Sequence, residues 1–294
     1  MRRRAAVLAI GFVLTGCDDA VDATSTSTSS SSSSVATGSS SSTGGGGAAC
    51  TSNEIPIVDQ GDRLYVPATL AGAQVYFFLD TGSALTFISL GAGQPNFVPD
   101  AAEATFGCNT LSLPGRGGLA SLGKVNGKEV VGFMGVDFLV APNAYLDRKN
   151  ATLTAPAPTS AIDASASWSA LAYDDVQGMI IAPVTLDAKP VRLMLDTGAP
   201  DTLWLGEQGQ PGDTEVTTTD AEGTPLTLYL GKVSLEMASR APVSVPVLRA
   251  PSFPYFEKTV MALGGNIHGL LGLSAFQGRD MLFDGEAHVV RLAP

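Results

Sequence analysis

Apolar positions in this chain alternate with polar ones or form short runs, and stripes with the period of a helix are hard to find. Residues 75–79 (Val-Tyr-Phe-Phe-Leu) and 191–195 (Val-Arg-Leu-Met-Leu) are examples of such runs. The 33 glycines and 18 prolines favour frequent turns between them. We therefore predict a mostly β fold built from short strands.

The N-terminal apolar run differs from the others. Three arginines at positions 2–4 precede an apolar stretch over residues 5–14, which is too short to span a bilayer as a helix. It ends in Leu-Thr-Gly before Cys17, a sequence that resembles the lipobox of bacterial lipoproteins. The resemblance implies that residues 1–16 are a signal peptide and that Cys17 is acylated. The alternative is an ordinary secretory signal with an incidental cysteine.

Residues 17–50 are the predicted acylated cysteine and a disordered tether. The tether is nearly all Ser, Thr, Gly, Ala and Asp, so it cannot offset the entropy of ordering. We expect it to hold the folded part clear of a membrane in the bacterial cell envelope, facing the periplasm or the exterior. In that oxidising compartment Cys50 and Cys108 are expected to form a disulfide, with two free thiols as the alternative.

The charge of the chain limits its partners. The formal net charge is −11, and removal of the three N-terminal arginines would make it more negative. A protein this acidic repels phosphate backbones, which excludes nucleic acid as an expected partner. Neither His268 nor His288 has a partner at metal-ligand spacing, so we expect no metal and no cofactor.

The chain contains an internal repeat. Residues 75–89 and 191–205 align without a gap, and each passes from an apolar run into Asp-Thr-Gly and back into apolar residues. A second pair of segments, residues 130–147 and 267–284, follows in the same order, and each contains Gly-apolar-apolar-Gly. The repeat predicts two related lobes, over residues 51–158 and 159–294.

A single Asp-Thr-Gly is weak evidence, because Asp and Gly are common in hairpin turns. Here the triplet occurs once in each half and follows an apolar strand, which places Asp80 and Asp196 at the edge of a core. Two such loops that face each other bring two carboxylates together. At hydrogen-bonding distance both cannot be ionised, so the pair holds one proton. One carboxylate can then activate a water while the other donates a proton to a carbonyl group.

The paired motifs and the glycine-rich blocks after them resemble the aspartic peptidase superfamily over residues 54–294. The resemblance implies a pepsin-like bilobal fold built from two retropepsin-like β lobes. It implies that a single chain, expected to be a monomer, hydrolyses peptide bonds in peptide or protein substrates. The catalytic pair would be Asp80 and Asp196.

The resemblance also assigns roles around the pair. Thr81 and Thr197 would brace the two loops, and Gly82 and Gly198 would let backbone amides approach the carboxylates. Ser83 would place a hydroxyl group near the outer oxygen of Asp80.

The second lobe has Ala199 at the position of that serine. Because alanine carries no hydroxyl group, we predict an asymmetric pair. Two further acids, Asp137 and Asp201, lie close to the motif blocks. Asp201 could tune the pair, or it could be an ordinary exposed acid.

A flap over the substrate is expected between Ser89 and Leu122. Its candidate tips are Gly107 with Cys108, and residues 114–118, although glycine-rich runs are more often plain loops. In the second lobe, residues 251–256 contain aromatic side chains that could line the substrate site or pack in the core.

Three other functions fit parts of the sequence. The chain could be a non-catalytic module that binds peptides or envelope fragments. It could be a structural lipoprotein, although paired Asp-Thr-Gly triplets would then be unexplained. It could also be a peptidase that acts only on itself or on one partner.

Overall fold

The computed structural model describes residues 53–91, 93–117, 121–219 and 224–294. The predicted signal peptide and tether, with Cys17 and Cys50, lie outside these ranges. Within them, no helix is both long enough and apolar enough to cross a membrane.

The described residues form many short strands and few helices. The strands are β1 (Glu54–Pro56), β2 (Val58–Asp59), β3 (Leu64–Leu70), β4 (Ala73–Leu79), β5 (Phe87–Gly91), β6 (Val98–Phe106), β7 (Asn109–Gly117), β8 (Lys124–Val125), β9 (Lys128–Met134), β10 (Tyr145–Asp147), β11 (Thr152–Thr154), β12 (Ser169–Ala172), β13 (Asp174–Val176), β14 (Met179–Leu186), β15 (Lys189–Asp196), β16 (Thr202–Leu205), β17 (Thr214–Thr219), β18 (Pro225–Glu236), β19 (Val243–Ala250), β20 (Gly269–Gly272), β21 (Met281–Asp284) and β22 (Val289–Leu292). The helices are α1 (Val136–Val140), α2 (Thr159–Ser165), α3 (Pro254–Ala262) and a 3-10 helix over Leu273–Phe276.

Each lobe has its own sheet. In the first lobe the strand order is β2-β3-β4-β9-β5-β7-β6, and β3 also pairs with β6, so the sheet curls toward a barrel. In the second lobe the order is β13-β14-β15-β20-β16-β19-β18-β17, and β14 pairs with β18 in the same way. The mostly β fold with two related lobes is confirmed.

The two sheets share one local topology. In the first lobe β4 is parallel to β9, β9 is antiparallel to β5, and β5 is parallel to β7. In the second lobe β15, β20, β16 and β19 repeat these relations in the same order. Each Asp-Thr-Gly triplet therefore leaves the sheet beside the strand that carries the glycine-rich block.

Glycine is required in that block because the neighbouring backbone comes close. A Cβ atom on Gly132 would lie 2.2 Å from the carbonyl oxygen of Phe87, and one on Gly269 would lie 1.9 Å from that of Leu203. Any larger residue would push β9 away from β5, or β20 away from β16. The repeated glycines thus reflect a repeated close approach of strands.

A third sheet joins the lobes. Its strand order is β1-β11-β10-β21-β22-β12, with three strands from the first half of the chain and three from the second. The halves meet where β10 pairs with β21, at Tyr145 opposite Leu282 and Leu146 opposite Met281. One large apolar core continues through both lobes and this sheet, and it includes Phe77, Leu146 and Phe283.

Candidate active site

The two Asp-Thr-Gly loops meet between the lobes. Strands β4 and β15 bury Leu79 and Leu195 in the common core. The next residue is the aspartate in each case, Asp80 directly after β4 and Asp196 at the end of β15. Asp80 is 6% exposed and Asp196 is 3% exposed. The structure therefore holds two carboxyl groups at the interface and almost out of contact with solvent.

Thr81 and Thr197 connect the loops by four hydrogen bonds that repeat across the interface. The hydroxyl group of Thr81 donates to the carbonyl oxygen of Leu195 (2.9 Å), and that of Thr197 donates to the carbonyl oxygen of Leu79 (2.8 Å). Each hydroxyl oxygen also accepts from the backbone N–H of the other threonine, at 2.9 and 3.1 Å. Both side chains are fully buried. This reciprocal pair fixes the position of one loop against the other.

Gly82 and Gly198 border the space in which the carboxylates lie. A Cβ atom on Gly82 would be 2.8 Å from Asp80 Oδ1 and 2.9 Å from Asp196 Oδ1. A Cβ atom on Gly198 would be 2.7 Å from Asp80 Oδ1 and 3.0 Å from Asp196 Oδ1. One point beside each glycine is thus within 3.0 Å of both carboxylates, which places the two acids next to each other.

Backbone amides solvate the two carboxylates unequally. Asp80 Oδ1 accepts from the N–H of Gly82 at 2.8 Å. Asp196 Oδ1 accepts from the N–H groups of Gly198 (2.8 Å) and Ala199 (3.1 Å). Because hydrogen bonds to the ionised form favour it, Asp196 is the better stabilised as a carboxylate.

Burial raises the pKa of both acids, and the pKa of Asp80 is raised well above its ordinary value. For Asp80 the charge of Asp196 and a hydrogen bond between the two side chains raise the pKa further. The same hydrogen bond lowers the pKa of Asp196, as do its backbone donors. The backbone donors and the directions of both shifts favour Asp80 as the carrier of the shared proton and Asp196 as the ionised partner.

The position of Ser83 differs from the prediction. Its hydroxyl group donates to the carbonyl oxygen of Leu85 at 2.7 Å and is not directed to Asp80. The loop turns back at this point, because the N–H of Ser83 donates to the carbonyl oxygen of Asp80. The inequality of the two acids thus comes from backbone donors and not from the Ser83 hydroxyl.

The first candidate tip of the flap was also misplaced. Gly107 and Cys108 form the turn between β6 and β7, but a Cβ atom on Gly107 would lie 3.0 Å from Ile55, in the sheet that joins the lobes. The side chain of Asn109, the next residue, donates to the carbonyl oxygen of Ala155. This turn therefore packs against the joining sheet.

The second candidate tip includes residues of a strand. Gly115 and Arg116 lie in β7 and pair with Ile88 and Ser89 of β5. The guanidinium group of Arg116 lies over the ring of Phe87, 5.5 Å from its centroid. Residues 118–120 lie outside the described ranges.

The aromatic residues near position 253 pack in the core. Phe253 and Phe256 are 2% and 0% exposed and belong to the apolar cluster of the second lobe. Phe253 precedes helix α3 and Phe256 lies in its first turn, so neither belongs to a loop that lines the site. Cys108 is half-buried, and its predicted disulfide with Cys50 stays a prediction because Cys50 lies outside the described residues.

Sequence reasoning missed the role of Asp137. Its carboxylate accepts hydrogen bonds from Thr86, which ends the loop that begins at Asp80. The signal was present, because Asp137 comes two residues after the glycine-rich block. What the sequence lacked was the contact between that block and the loop.

Comparison with known proteins adds little to this geometry. No family model and no curated protein matches the chain. Among solved structures, the chain is similar to an aspartic proteinase from Irpex lacteus, with a TM-score of 0.49 and 12% sequence identity. The match covers 82% of this chain and 96% of that one. The two chains are too dissimilar for this likeness to support a shared activity.

Proposed function

We propose that the protein is an aspartic endopeptidase with Asp80 and Asp196 as its catalytic residues. The observation that carries the proposal is the reciprocal pair of loops, which holds two buried carboxyl groups side by side with unequal backbone donors. Paired carboxyl groups whose surroundings separate their pKa values are suited to act as general base and general acid. Aspartic proteases are the standard example of this chemistry.

The hydrolysis would proceed without metal or covalent intermediate. The ionised Asp196 takes a proton from a water molecule as the water oxygen bonds to the carbonyl carbon of the peptide. At the same time the protonated Asp80 gives its proton to the carbonyl oxygen, which yields a neutral gem-diol. Asp196 then gives its proton to the amide nitrogen, Asp80 takes the proton of one gem-diol hydroxyl group as the C–N bond breaks, and the pair again holds one proton. Both acids come from one chain, so we propose that a monomer is active.

Single substitutions test the proposal. Asp80→Asn and Asp196→Asn preserve the size of each side chain and remove the exchangeable carboxyl proton. We expect either variant to abolish cleavage of a fluorogenic peptide library between pH 3 and pH 8. Asp163→Asn, an exposed position on α2, is the matched control and should cleave like the native protein. Cleavage that survives in either dyad variant would refute the mechanism.

The proposal includes a place in the cell envelope. The lipobox-like sequence before Cys17 supports a lipid anchor, with the Ser-rich tether as a spacer. In a bacterial host the native chain should fractionate with membranes, and Cys17→Ala should be released in soluble form. Membrane association that is equal in both would rule out acylation at this cysteine.

The disulfide between Cys50 and Cys108 is proposed on compartment alone. Peptide mapping without reduction should recover the two cysteines in one linked pair. Free thiols at both positions would exclude the disulfide.

A further inference from the structure

The two lobes contain an equivalent connection behind each active-site loop. The Asp-Thr-Gly repeat relates Thr86 to Thr202, and the glycine-rich repeat relates Asp137 to Ser274. In the first lobe the N–H of Asp137 donates to the carbonyl oxygen of Ala84. In the second lobe the N–H of Ser274 donates to the carbonyl oxygen of Pro200 in the same way. The backbone hydrogen bond is thus the same in both lobes, whereas the side chains at these positions differ.

In the first lobe the side chains close a network. Asp137 Oδ1 accepts from the N–H of Thr86 (2.8 Å), from its hydroxyl group (2.6 Å) and from the N–H of Phe138 (2.8 Å). The hydroxyl oxygen of Thr86 in turn accepts from the N–H of Gly135 at 3.0 Å. One carboxylate oxygen therefore joins the end of the Asp80 loop to the start of α1.

The second lobe lacks this network. Within the part of the chain that the structure describes, the buried hydroxyl group of Thr202 has no hydrogen-bond partner. Ser274 is too short to place an oxygen where Asp137 has its carboxylate. The threonine at the far end of the Asp80 loop is thus tied down by a charged acceptor, and its counterpart Thr202 is not.

We infer that Asp137 is a positioning residue that holds the Asp80 loop in its catalytic position through Thr86. Thr86 is 2% exposed whereas Asp137 is exposed, so these bonds are buried at the threonine end and open to solvent at the carboxylate end. Asp80 begins the same short loop, which is fixed by the cross-lobe bonds at Thr81 and by Asp137 at Thr86. The inference rests on the proposed peptidase function, because it concerns the alignment of one of the two catalytic acids.

Two variants separate positioning from charge. Asp137→Ala removes the acceptor, whereas Asp137→Asn keeps an oxygen that can accept from Thr86. We expect Asp137→Ala to lower kcat by roughly 10- to 100-fold with KM nearly unchanged, since small displacements of a reacting group have effects of that order. Asp137→Asn should restore kcat to within a few-fold of native. Asp163→Asn, an exposed position on α2, is the control and should retain native kcat.

Two results would overturn the inference: native kcat in Asp137→Ala, or equal losses in the Ala and Asn variants. If Asp137→Ala does not fold, Thr86→Ser and Thr86→Val replace it. The serine variant should retain kcat and the valine variant should lose it, and equal activity in the two would count against the inference.

A second measurement does not depend on catalysis. Hydrogen exchange at the Thr86 and Gly135 amides should be faster in Asp137→Ala than in Asp137→Asn. If the native protein cleaves no peptide, the proposed function fails and this exchange alone decides whether Asp137 fixes the loop. Equal exchange in the two variants would show that it does not.

Discussion

Thr81 and Thr197 each donate a hydroxyl hydrogen bond to the carbonyl group that precedes the aspartate of the opposite lobe. Each loop is therefore held by the backbone of the other, and neither can move alone. The four bonds are fully buried, so their loss leaves polar groups without partners where water does not reach.

Replacing either threonine by valine should destabilise the protein and impair catalysis. The variant keeps the volume of the side chain but leaves a buried carbonyl group and a buried N–H without their partner, at a cost of about 1–3 kcal/mol in the free energy of unfolding. Urea denaturation and peptide cleavage would measure the two effects. Thr81→Ser and Thr197→Ser retain the hydroxyl group and should behave almost as native; a serine variant as weak as the valine variant would contradict this explanation.

The raised pKa of Asp80 makes stability depend on pH. The folded state binds the proton of Asp80 more tightly than the unfolded chain, whose aspartate titrates near the ordinary value of 3.8. This stabilisation is complete below that value and is lost as the pH rises through the raised pKa. The free energy of unfolding of Asp80→Asn relative to native should therefore be higher at pH 7.5 than at pH 4.

The same measurement has a direct control. The free energy of unfolding of Asp163→Asn relative to native should be the same at both pH values, because this side chain is exposed. A difference between Asp80→Asn and native that does not vary with pH would mean that Asp80 titrates normally in the folded protein.

Alanine at Gly82 or Gly198 should abolish activity. The added methyl group would come within 3.0 Å of carboxylate atoms of both acids, so one or both must move. We expect cleavage to fall by 100-fold or more, as an order of magnitude for a displaced catalytic group. Gly72→Ala is the opposite case: its φ of +80° costs an alanine about 1–2 kcal/mol, but its surroundings are open. That variant should lose stability and keep kcat.

Asp62 should influence Asp201 across the interface between the lobes. Burial raises the pKa of Asp201, and the negative charge of Asp62 raises it further. Asp62→Asn should therefore lower the pKa of Asp201, which carbon NMR of the side-chain carboxyl groups can follow. Asp163→Asn should leave the pKa of Asp201 unchanged. If that pKa is the same in all three proteins, the charge of Asp62 does not act on Asp201.

Much of the fold followed from repetition in the sequence. The apolar runs before Asp80 and Asp196 predicted two buried strands, and the matched glycine blocks predicted a second shared element in each lobe. These signals are local and recur at a constant order, so a single sequence reveals them. The loop that holds each aspartate could be predicted from the Asp-Thr-Gly triplet, because glycine and aspartate are typical of tight turns.

The surroundings of the aspartates were harder to predict because they depend on contacts between distant segments. Ser83 was expected to bond to Asp80, but the path of the loop directs its hydroxyl group to Leu85. Thr86 and Asp137 are 51 residues apart, so the place of Asp137 after the glycine-rich block does not by itself reveal their hydrogen bond. The turn at Gly107 was misplaced because its neighbour, Ile55, belongs to a strand that pairs with neither β6 nor β7.

The sheet that joins the lobes changes what each half of the chain can do by itself. It divides into β1-β11-β10 and β21-β22-β12, so a cut in the segment between α2 and β12 would give each fragment three strands, one of which is a newly exposed edge. Such an edge has unpaired backbone groups that recruit another strand. We expect the separated fragments to be prone to aggregation when expressed singly and soluble when expressed together, as a complementing pair that recovers cleavage only on reassembly.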